Sequence, residues 1–299
     1  MSIWRRRSGI QLAYPYEQKR MVKWGSAEVI VQPKLNGERC RTTVKNGAAL
    51  LVSSECNPIS SMPHIQNTLS CKELNGLELD GELYKHGMSF ESISSRVSRT
   101  KNVHPEHTEV EYHIFDIVDM TMNQRERTLL LMNEVFPIIQ KLHGSEHIKL
   151  VPSFICKSVA VLENILETYY NNGYEGIIVR NPKAMYVRKR TVDMLKWKPR
   201  KKDCYSIIGY EEVTDQYGRG LGMLGSVQCE SDGQVFSVSC SSMPHEEKIN
   251  WWAIREELVG QYAMVKYQTL TERKVPNHAI IVSISKGYED TEDEVDYEG

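Results

Sequence analysis

The chain has 299 residues, 40% of them hydrophobic and 25% charged. That balance excludes a collagen, a wholly disordered polypeptide and a disulfide knot, and the length allows one large domain or two. The formal charge of −2 is a sum of unlike parts: residues 1–202 carry +9, residues 203–288 carry −4, and residues 289–299 hold seven acids and no base, so near-neutrality does not exclude a nucleic-acid partner.

Met1–Gly9 has three arginines and no apolar run behind them, so it reads as a basic arm and not a secretory leader. Tyr16–Trp24 is a helix candidate. Val29–Pro33, Ala48–Val52, Glu111–Val118 and Gly176–Arg180 are short β-branched or aromatic runs ended by Gly, Pro or Asn, and they predict strands. Arg125–Leu142 and Ser158–Asn171 have apolar residues at helical spacing, the second with Ser158 as its expected cap. The strands fall in adjacent runs and not in strict alternation with helices, which favours an antiparallel α+β domain. Charge changes sign across the Pro-containing stretch Lys196–Lys202, so a boundary is expected near residue 202.

Beyond it lie five strand candidates, Tyr205–Val213, Leu224–Glu230, Gln234–Cys240, Tyr262–Leu270 and Ala279–Lys286, and one helix, Pro244–Leu258. That content predicts an all-β OB-type barrel at 203–288. Residues 289–299 are expected to form an acidic disordered tail. No window approaches about 18 apolar residues, so no membrane span is expected. The cysteines (Cys40, Cys56, Cys71, Cys156, Cys204, Cys229, Cys240) are odd in number and never spaced CxxC. Free thiols in a reducing cytoplasm are expected, with no zinc ribbon.

Five short motifs carry chemistry. Lys34-Leu-Asn-Gly-Glu-Arg39 places a lysine between a strand and a tight turn, where a nucleophile could attack phosphorus. In Glu78-Leu-Asp-Gly-Glu-Leu-Tyr84, alternation puts Asp80 and Glu82 on one face of a strand, suited to ribose hydroxyls or a metal ion. His113-Ile-Phe-Asp116 offers Phe115 for stacking on a base. Glu175-Gly-Ile-Ile-Val-Arg180 sets a carboxylate before an apolar strand. In Leu195-Lys-Trp-Lys-Pro199, Lys196 and Lys198 share a face opposite Trp197, matching a polyanionic phosphate. Singly, each also fits a turn, a hairpin or a core aromatic. In order, they supply the separate needs of lysine attack on a nucleotide α-phosphate.

This ordered series resembles the covalent nucleotidyltransferases, and within them the small ATP-dependent DNA ligases of phage and bacterial type. The resemblance runs from about Tyr14 to Lys286. It implies an adenylation domain (1–202) followed by an OB-fold domain, with ATP and Mg²⁺ (or Mn²⁺) as cofactors and AMP carried covalently on Lys34. It assigns Gln32 to the adenine amino group, with Leu35 beside it in the nucleotide site. Arg39 falls to ribose or phosphate, Glu82 to the ribose side, Phe115 to base stacking and Glu175 to the metal, with Glu82 as a second metal carboxylate. Lys196 and Lys198 fall to the α-phosphate. The implied partner is nicked duplex DNA, met by a cytoplasmic monomer with no membrane attachment.

Three positions depart from the pattern. Asn36 stands where many relatives have Asp, Glu55 follows Ser54 where many have Arg, and Ser283-Ile-Ser285-Lys286 keeps at most the lysine of the barrel-end motif. An RNA ligase, a capping guanylyltransferase on the same scaffold and an inactive nick-binding relative stay open as alternatives. Lys183–Lys202 holds nine bases and one acid; Arg188, Lys189, Arg190, Arg200, Lys201 and Lys202 are therefore expected on the DNA backbone, with Arg96, Arg99 and Lys101 as further candidates. Gly220–Gly225 matches GxGxxG, but a strand-like run follows it and it is expected to be a barrel turn. His104 and His107 are expected in a loop, and Trp251 and Trp252 in packing.

Overall fold

The computed structural model describes residues 9–25, 28–271, 273–288 and 295–296. The chain divides between Lys198 and Pro199 into two compact units. The charge step places the boundary near residue 202; the pairing of a barrel strand from Arg200 onward puts Arg200, Lys201 and Lys202 in the second unit.

The first unit contains β1 (Leu12–Pro15), α1 (Gln18–Val22), β2 (Val29–Lys34), β3 (Glu38–Lys45), β4 (Ala48–Ser53), α2 (Pro63–Leu69), β5 (Glu78–Tyr84), α3 (Phe90–Val97), β6 (Glu111–Ile117), α4 (Gln124–Leu130), α5 (Phe136–Ile139), β7 (Ile148–Leu150), β8 (Phe154–Cys156), α6 (Leu162–Asn171), β9 (Gly176–Arg180) and β10 (Arg190–Trp197). These strands form two five-stranded sheets, ordered β1-β10-β9-β2-β8 and β4-β3-β5-β6-β7. Pairing is antiparallel except at β1–β10 and β6–β7. This is the mixed, largely antiparallel α+β domain that the strand spacing predicts.

The main core packs one face of the second sheet. Cys40, Leu79, Leu83, Tyr112 and Ile114 alternate inward from β3, β5 and β6 and meet Ile65 and Leu69 of α2 and Ile93 of α3. Alternation then sends Arg39, Arg41, Asp80 and Glu82 away from that core, while a register shift opposite Asp80–Gly81 breaks the alternation of β6 at Phe115, which packs partly buried against the core beside the buried Asp116. Arg125–Leu142, expected as one helix, is α4 and α5 joined by a π-turn at Leu131–Val135. Pro137 lacks the amide hydrogen that a regular ladder needs, and the wider turn precedes it. Asn123 and Glu126 close a capping box at its start. The expected Ser158 cap is not found: α6 starts at Leu162 after a 3-10 turn at Val159–Val161, and its N-cap Val161 offers no side-chain acceptor.

The second unit contains β11 (Arg200–Thr214), β12 (Gly220–Ser231), β13 (Gln234–Ser239), α7 (His245–Ala253), β14 (Tyr262–Tyr267), β15 (Thr269–Leu270), β16 (Pro276–Asn277), β17 (Ile280–Ser285) and β18 (Val295–Asp296). Five of these strands close a ring, β11-β12-β13-β17-β14 and back to β11. Tyr205, Ile207, Val227, Phe236, Val265 and Ile281 fill its interior, and Trp251 and Trp252 pack against them. Gly220–Gly225 lies within β12 and not in a turn. The turn is Asp215–Arg219, where the Asp215 carboxylate accepts from the amides of Tyr217 and Arg219. Of the acidic tail, Val295–Asp296 pairs antiparallel with Arg200–Lys201. The rest of that segment and the basic arm before Gly9 lie outside the described residues.

Candidate active site

Lys34 ends β2, whose preceding residues Val29–Pro33 are all buried. At Gly37, in the turn that follows, a Cβ would run into the Leu83 carbonyl, so only glycine lets the chain enter β3 this close to β5. The Lys34 ammonium pairs with the Glu175 carboxylate and also donates to the Leu35 carbonyl at 3.3 Å. Glu175 is fixed through its own amide, which donates to the Lys34 carbonyl at 3.1 Å. Gly176 then opens β9 with φ +147, and a side chain there would strike the Trp197 carbonyl. That close approach brings the end of β10 beside Glu175. Lys198 pairs with the second oxygen of the same carboxylate.

Glu175 therefore carries two ammonium groups. Burial opposes its charge, but Lys34 and Lys198 outweigh burial and lower its pKa. Lys196 is half-buried nearby. Desolvation, then the charges of Lys198 and Lys34, lower its pKa. Trp197 points the other way and stacks on Tyr16 with ring centres 3.8 Å apart. The alternation expected for Lys196-Trp-Lys198 is what the backbone presents.

The facing sheet supplies acids, a guanidinium and a ring. Arg39 makes two bonds to Asp80, at 2.7 and 2.6 Å, and its guanidinium lies 4.5 Å from the centre of the Phe115 ring. Burial opposes the Arg39 charge, but Asp80 more than compensates and raises its pKa. Tyr186 donates to Asp80 at 2.7 Å. Glu82 is two residues along β5, on the same face as Asp80. Burial raises its pKa to about 7, against the pull of Arg39 and Lys34 and with the help of Glu175. Gln32, on β2 with Lys34, is buried. Its amide nitrogen donates to the Phe115 carbonyl and to Ser153, and its amide oxygen accepts from Arg180. Leu35 is a buried core residue.

Lys34, Glu175, Lys196 and Lys198 thus sit together, with Gln32, Arg39, Glu82 and Phe115 around them. Sequence reasoning set Asp80 beside Glu82 for ribose or a metal, whereas the structure engages it with Arg39 and Tyr186; it quoted Asp116 and Arg180 within motifs without giving them tasks, and it missed Tyr186 and Arg127. Asp116 is fully buried and binds both Arg127 and Arg180. A buried acid beside an apolar strand is a signal that an opposite charge must lie near, though it does not name which.

The expected backbone-binding cations fall into groups. Arg96 is paired with Glu106 at 2.6 Å and Glu109 at 3.0 Å, and Arg188 with Glu78 at 2.6 Å. Arg190 donates to the Ala13 carbonyl and lies 5.6 Å from the Tyr14 ring centre. Arg99, Lys101 and Lys189 are exposed. Arg200, Lys201 and Lys202 are half-buried on β11, in the second unit.

Residues 11–198 match the family described as the ATP dependent DNA ligase domain. The chain belongs to the ATP-dependent DNA ligases. Residues 217–284 match the DNA ligase OB-like domain. A DNA ligase of Haemophilus influenzae is 24% identical over 208 residues, covering 70% of this chain and 72% of the relative. Among solved structures, a Lig E DNA ligase described as binding DNA with a minimal scaffold superposes with TM-score 0.72 at 23% identity, over 92% of this chain and 98% of that one. The ATP-dependent ligase of bacteriophage T7, solved with ATP, gives 0.55 at 18% identity over 91% and 97%. These structures share the fold of this ligase. Among its described residues no helix is long and apolar enough to cross a membrane.

Proposed function

We propose that this ligase seals nicks between a 5′-phosphate and a 3′-hydroxyl in duplex DNA, through AMP carried on Lys34. The supporting observation is the pairing of Lys34 and Lys198 on one carboxylate with Lys196 beside them. Lys34 first gives up an ammonium proton to solvent; its neutral nitrogen then attacks the α-phosphorus of ATP, forming a P–N bond as the bond to pyrophosphate breaks. Lys196 and Lys198 take up charge on the α-phosphate oxygens. AMP then passes to the 5′-phosphate, and the 3′-hydroxyl attacks that phosphorus and expels AMP.

Glu82 and Glu175 are the carboxylates suited to Mg²⁺. The described residues hold no group of three His, Cys, Asp or Glu arranged as a metal site. Burial first, and then the charge of Glu175, raise the Glu82 pKa. Mg²⁺ is commonly held by one or two carboxylates plus substrate phosphates, so this pair fits. Bound there, the ion would neutralise phosphate charge. The free cysteines among the described residues agree with a reducing cytoplasm, where we place the enzyme as a monomer on nicked DNA.

The test is incubation with α-labelled ATP followed by a nicked duplex. Label on the wild type but not on Lys34→Ala, and sealing by the wild type alone, support the reading. Transfer of GMP instead of AMP would point to a capping guanylyltransferase. Sealing of RNA nicks but not DNA nicks would point to an RNA ligase. No label from either nucleotide would overturn the reading in favour of an inactive binder.

A further inference from the structure

A glutamine is an ambiguous reader of a purine. Its amide presents an acceptor or a donor depending on which way it is turned, and adenine and guanine differ at position 6 in that sense: an amino group against a carbonyl. At Gln32 this ambiguity is removed. Arg180 Nε donates to Gln32 Oε1 at 2.8 Å. A guanidinium has donors and no acceptor, so the amide oxygen must face it. The two N–H bonds of Gln32 go to the Phe115 carbonyl at 2.9 Å and to Ser153 Oγ at 2.8 Å. Ser153 in turn lies 3.3 Å from the Val151 carbonyl, to which its hydroxyl donates, so its oxygen is free to accept from Gln32. What Gln32 has left is one lone pair on Oε1 and no donor.

Arg180 is itself held in place. It is 3% exposed and Gln32 is 2% exposed. Arg180 Nη1 donates to Asp116 at 2.8 Å and to Gln124 at 3.0 Å. Asp116 is also gripped by Arg127, at 2.9 and 3.2 Å, and by the Ile117 amide at 2.9 Å. Turning the Gln32 amide over would set NH₂ against the Arg180 N–H and an oxygen against the Phe115 carbonyl, losing three bonds in a buried site.

We propose that Arg180 is a positioning residue that locks the Gln32 amide as an acceptor and thereby selects adenine over guanine nucleotides. The inference rests on the adenylation reading above and on Gln32 sharing the face of β2 that carries Lys34. A glutamate at position 32 would accept without assistance. Glutamine needs the lock, and Arg180 supplies it.

The test compares second-order rates of self-labelling by α-labelled ATP and GTP, with Mg²⁺. Wild type, Arg180→Met, Arg180→Gln and the double variant Gln32→Glu/Arg180→Met are measured. The ATP:GTP ratio is expected to fall by about tenfold or more in both single variants, the worth of one readout hydrogen bond. In the double variant it is expected to return toward the wild-type value, since a carboxylate cannot donate. A purely structural role for Arg180 would slow both nucleotides alike and leave the ratio unchanged. Arg180→Gln guards against misfolding of Arg180→Met, because it keeps a polar group beside Asp116 yet can donate or accept. A folded single variant, still labelled by ATP at the wild-type ratio, would overturn the lock. Absence of label on the wild type from either nucleotide would instead overturn the adenylation reading, and the lock with it.

Discussion

Glu175 holds Lys34 on one carboxylate oxygen and Lys198 on the other. On the proposed reading, the pairing places the attacking nitrogen and a phosphate-binding cation within one carboxylate's width. With Lys196 beside them, it also leaves an excess positive charge suited to a triphosphate. Glu175→Gln removes the anion and leaves the shape. Without it, Lys34 and Lys198 lose their common anchor, and both repel Lys196. Self-adenylation is expected to fall by about 100-fold or more, and the thermal transition is expected to fall as well, because two largely buried ammonium groups lose their partner. Single-turnover labelling with ATP measures the first, and calorimetry the second.

Glu82 gives this site a pH dependence. Burial lifts its carboxyl from the ordinary 4.5 to about 7, so it is largely neutral in the free protein below neutrality. If the carboxylate is the form that meets metal or ribose, the labelling rate at subsaturating Mg²⁺ should rise with pH up to about 7 and then level. Glu82→Gln should be slower and flat over the same range. The stability effect has the opposite sense. A carboxyl whose folded pKa is raised favours folding while it holds its proton, and that contribution fades as pH climbs through about 7. Glu82→Gln should therefore be more stable than wild type at pH 8, by on the order of 1–3 kcal/mol, and close to it at pH 5. Urea unfolding at both pH values checks this.

The fold and the inner site were legible because their signals are local. Lys34 ends a β-branched run, Asp80 and Glu82 alternate with leucines, and Lys196 and Lys198 flank a tryptophan, so strand periodicity alone orients each. What was not legible depends on contacts between distant strands. Gln32 is a free adenine reader in sequence. Only the fold, by bringing β9 beside β2, shows its oxygen engaged by Arg180, 148 residues away. Arg96 and Arg188 look like backbone-binding cations in a string of bases, yet Glu106, Glu109 and Glu78 reach them in space. The Gly220–Gly225 motif is a strand because β11 pairs with it at Gly220 and Leu224, a fact no local pattern carries.

Gly176 couples the two halves of the lysine site. With φ +147 and the Trp197 carbonyl against its open face, it admits no side chain. Gly176→Ala must push β10 away from β9 or twist the backbone, and either movement separates Lys198 from Glu175. A loss of about 2–4 kcal/mol in stability is expected, together with adenylation reduced more than DNA binding. Denaturant unfolding, labelling and a nick-binding titration would separate the three effects. A wild-type labelling rate in this variant would count against the Glu175–Lys198 pairing as a requirement.

His64 should make the first unit sensitive to mild acid. Its Nε2 lies 2.9 Å from the Val110 carbonyl, its Nδ1 lies 2.9 Å from Nδ1 of His107, and its ring centre is 4.9 Å from that of His147. Burial, then the neighbouring imidazoles, lower its pKa from 6.5 to about 4. A histidine depressed in the folded state stabilises at neutral pH, and that contribution is lost as pH falls below 6.5 toward 4. Partial exposure reduces the effect to about 1–2 kcal/mol. His64→Gln keeps a donor for Val110 and does not titrate. Between pH 7 and pH 5 the wild type is expected to lose more stability than this variant. Equal losses in paired urea titrations would remove His64 as the cause.

The ion pairs on Arg96 set a prediction for DNA. Each lysine or arginine that neutralises a phosphate releases a counterion and steepens the fall of affinity with salt. Arg96 is already neutralised by Glu106 and Glu109, and taking a phosphate would require breaking both contacts. Lys189 is exposed immediately before β10. Lys189→Ala is therefore expected to lower the slope of log affinity against log salt by about 1, whereas Arg96→Ala should leave the slope unchanged and weaken only the local structure after α3. Fluorescence anisotropy with a nicked duplex from low to moderate salt measures both slopes. A reduced slope for Arg96→Ala would show that DNA displaces the two glutamates.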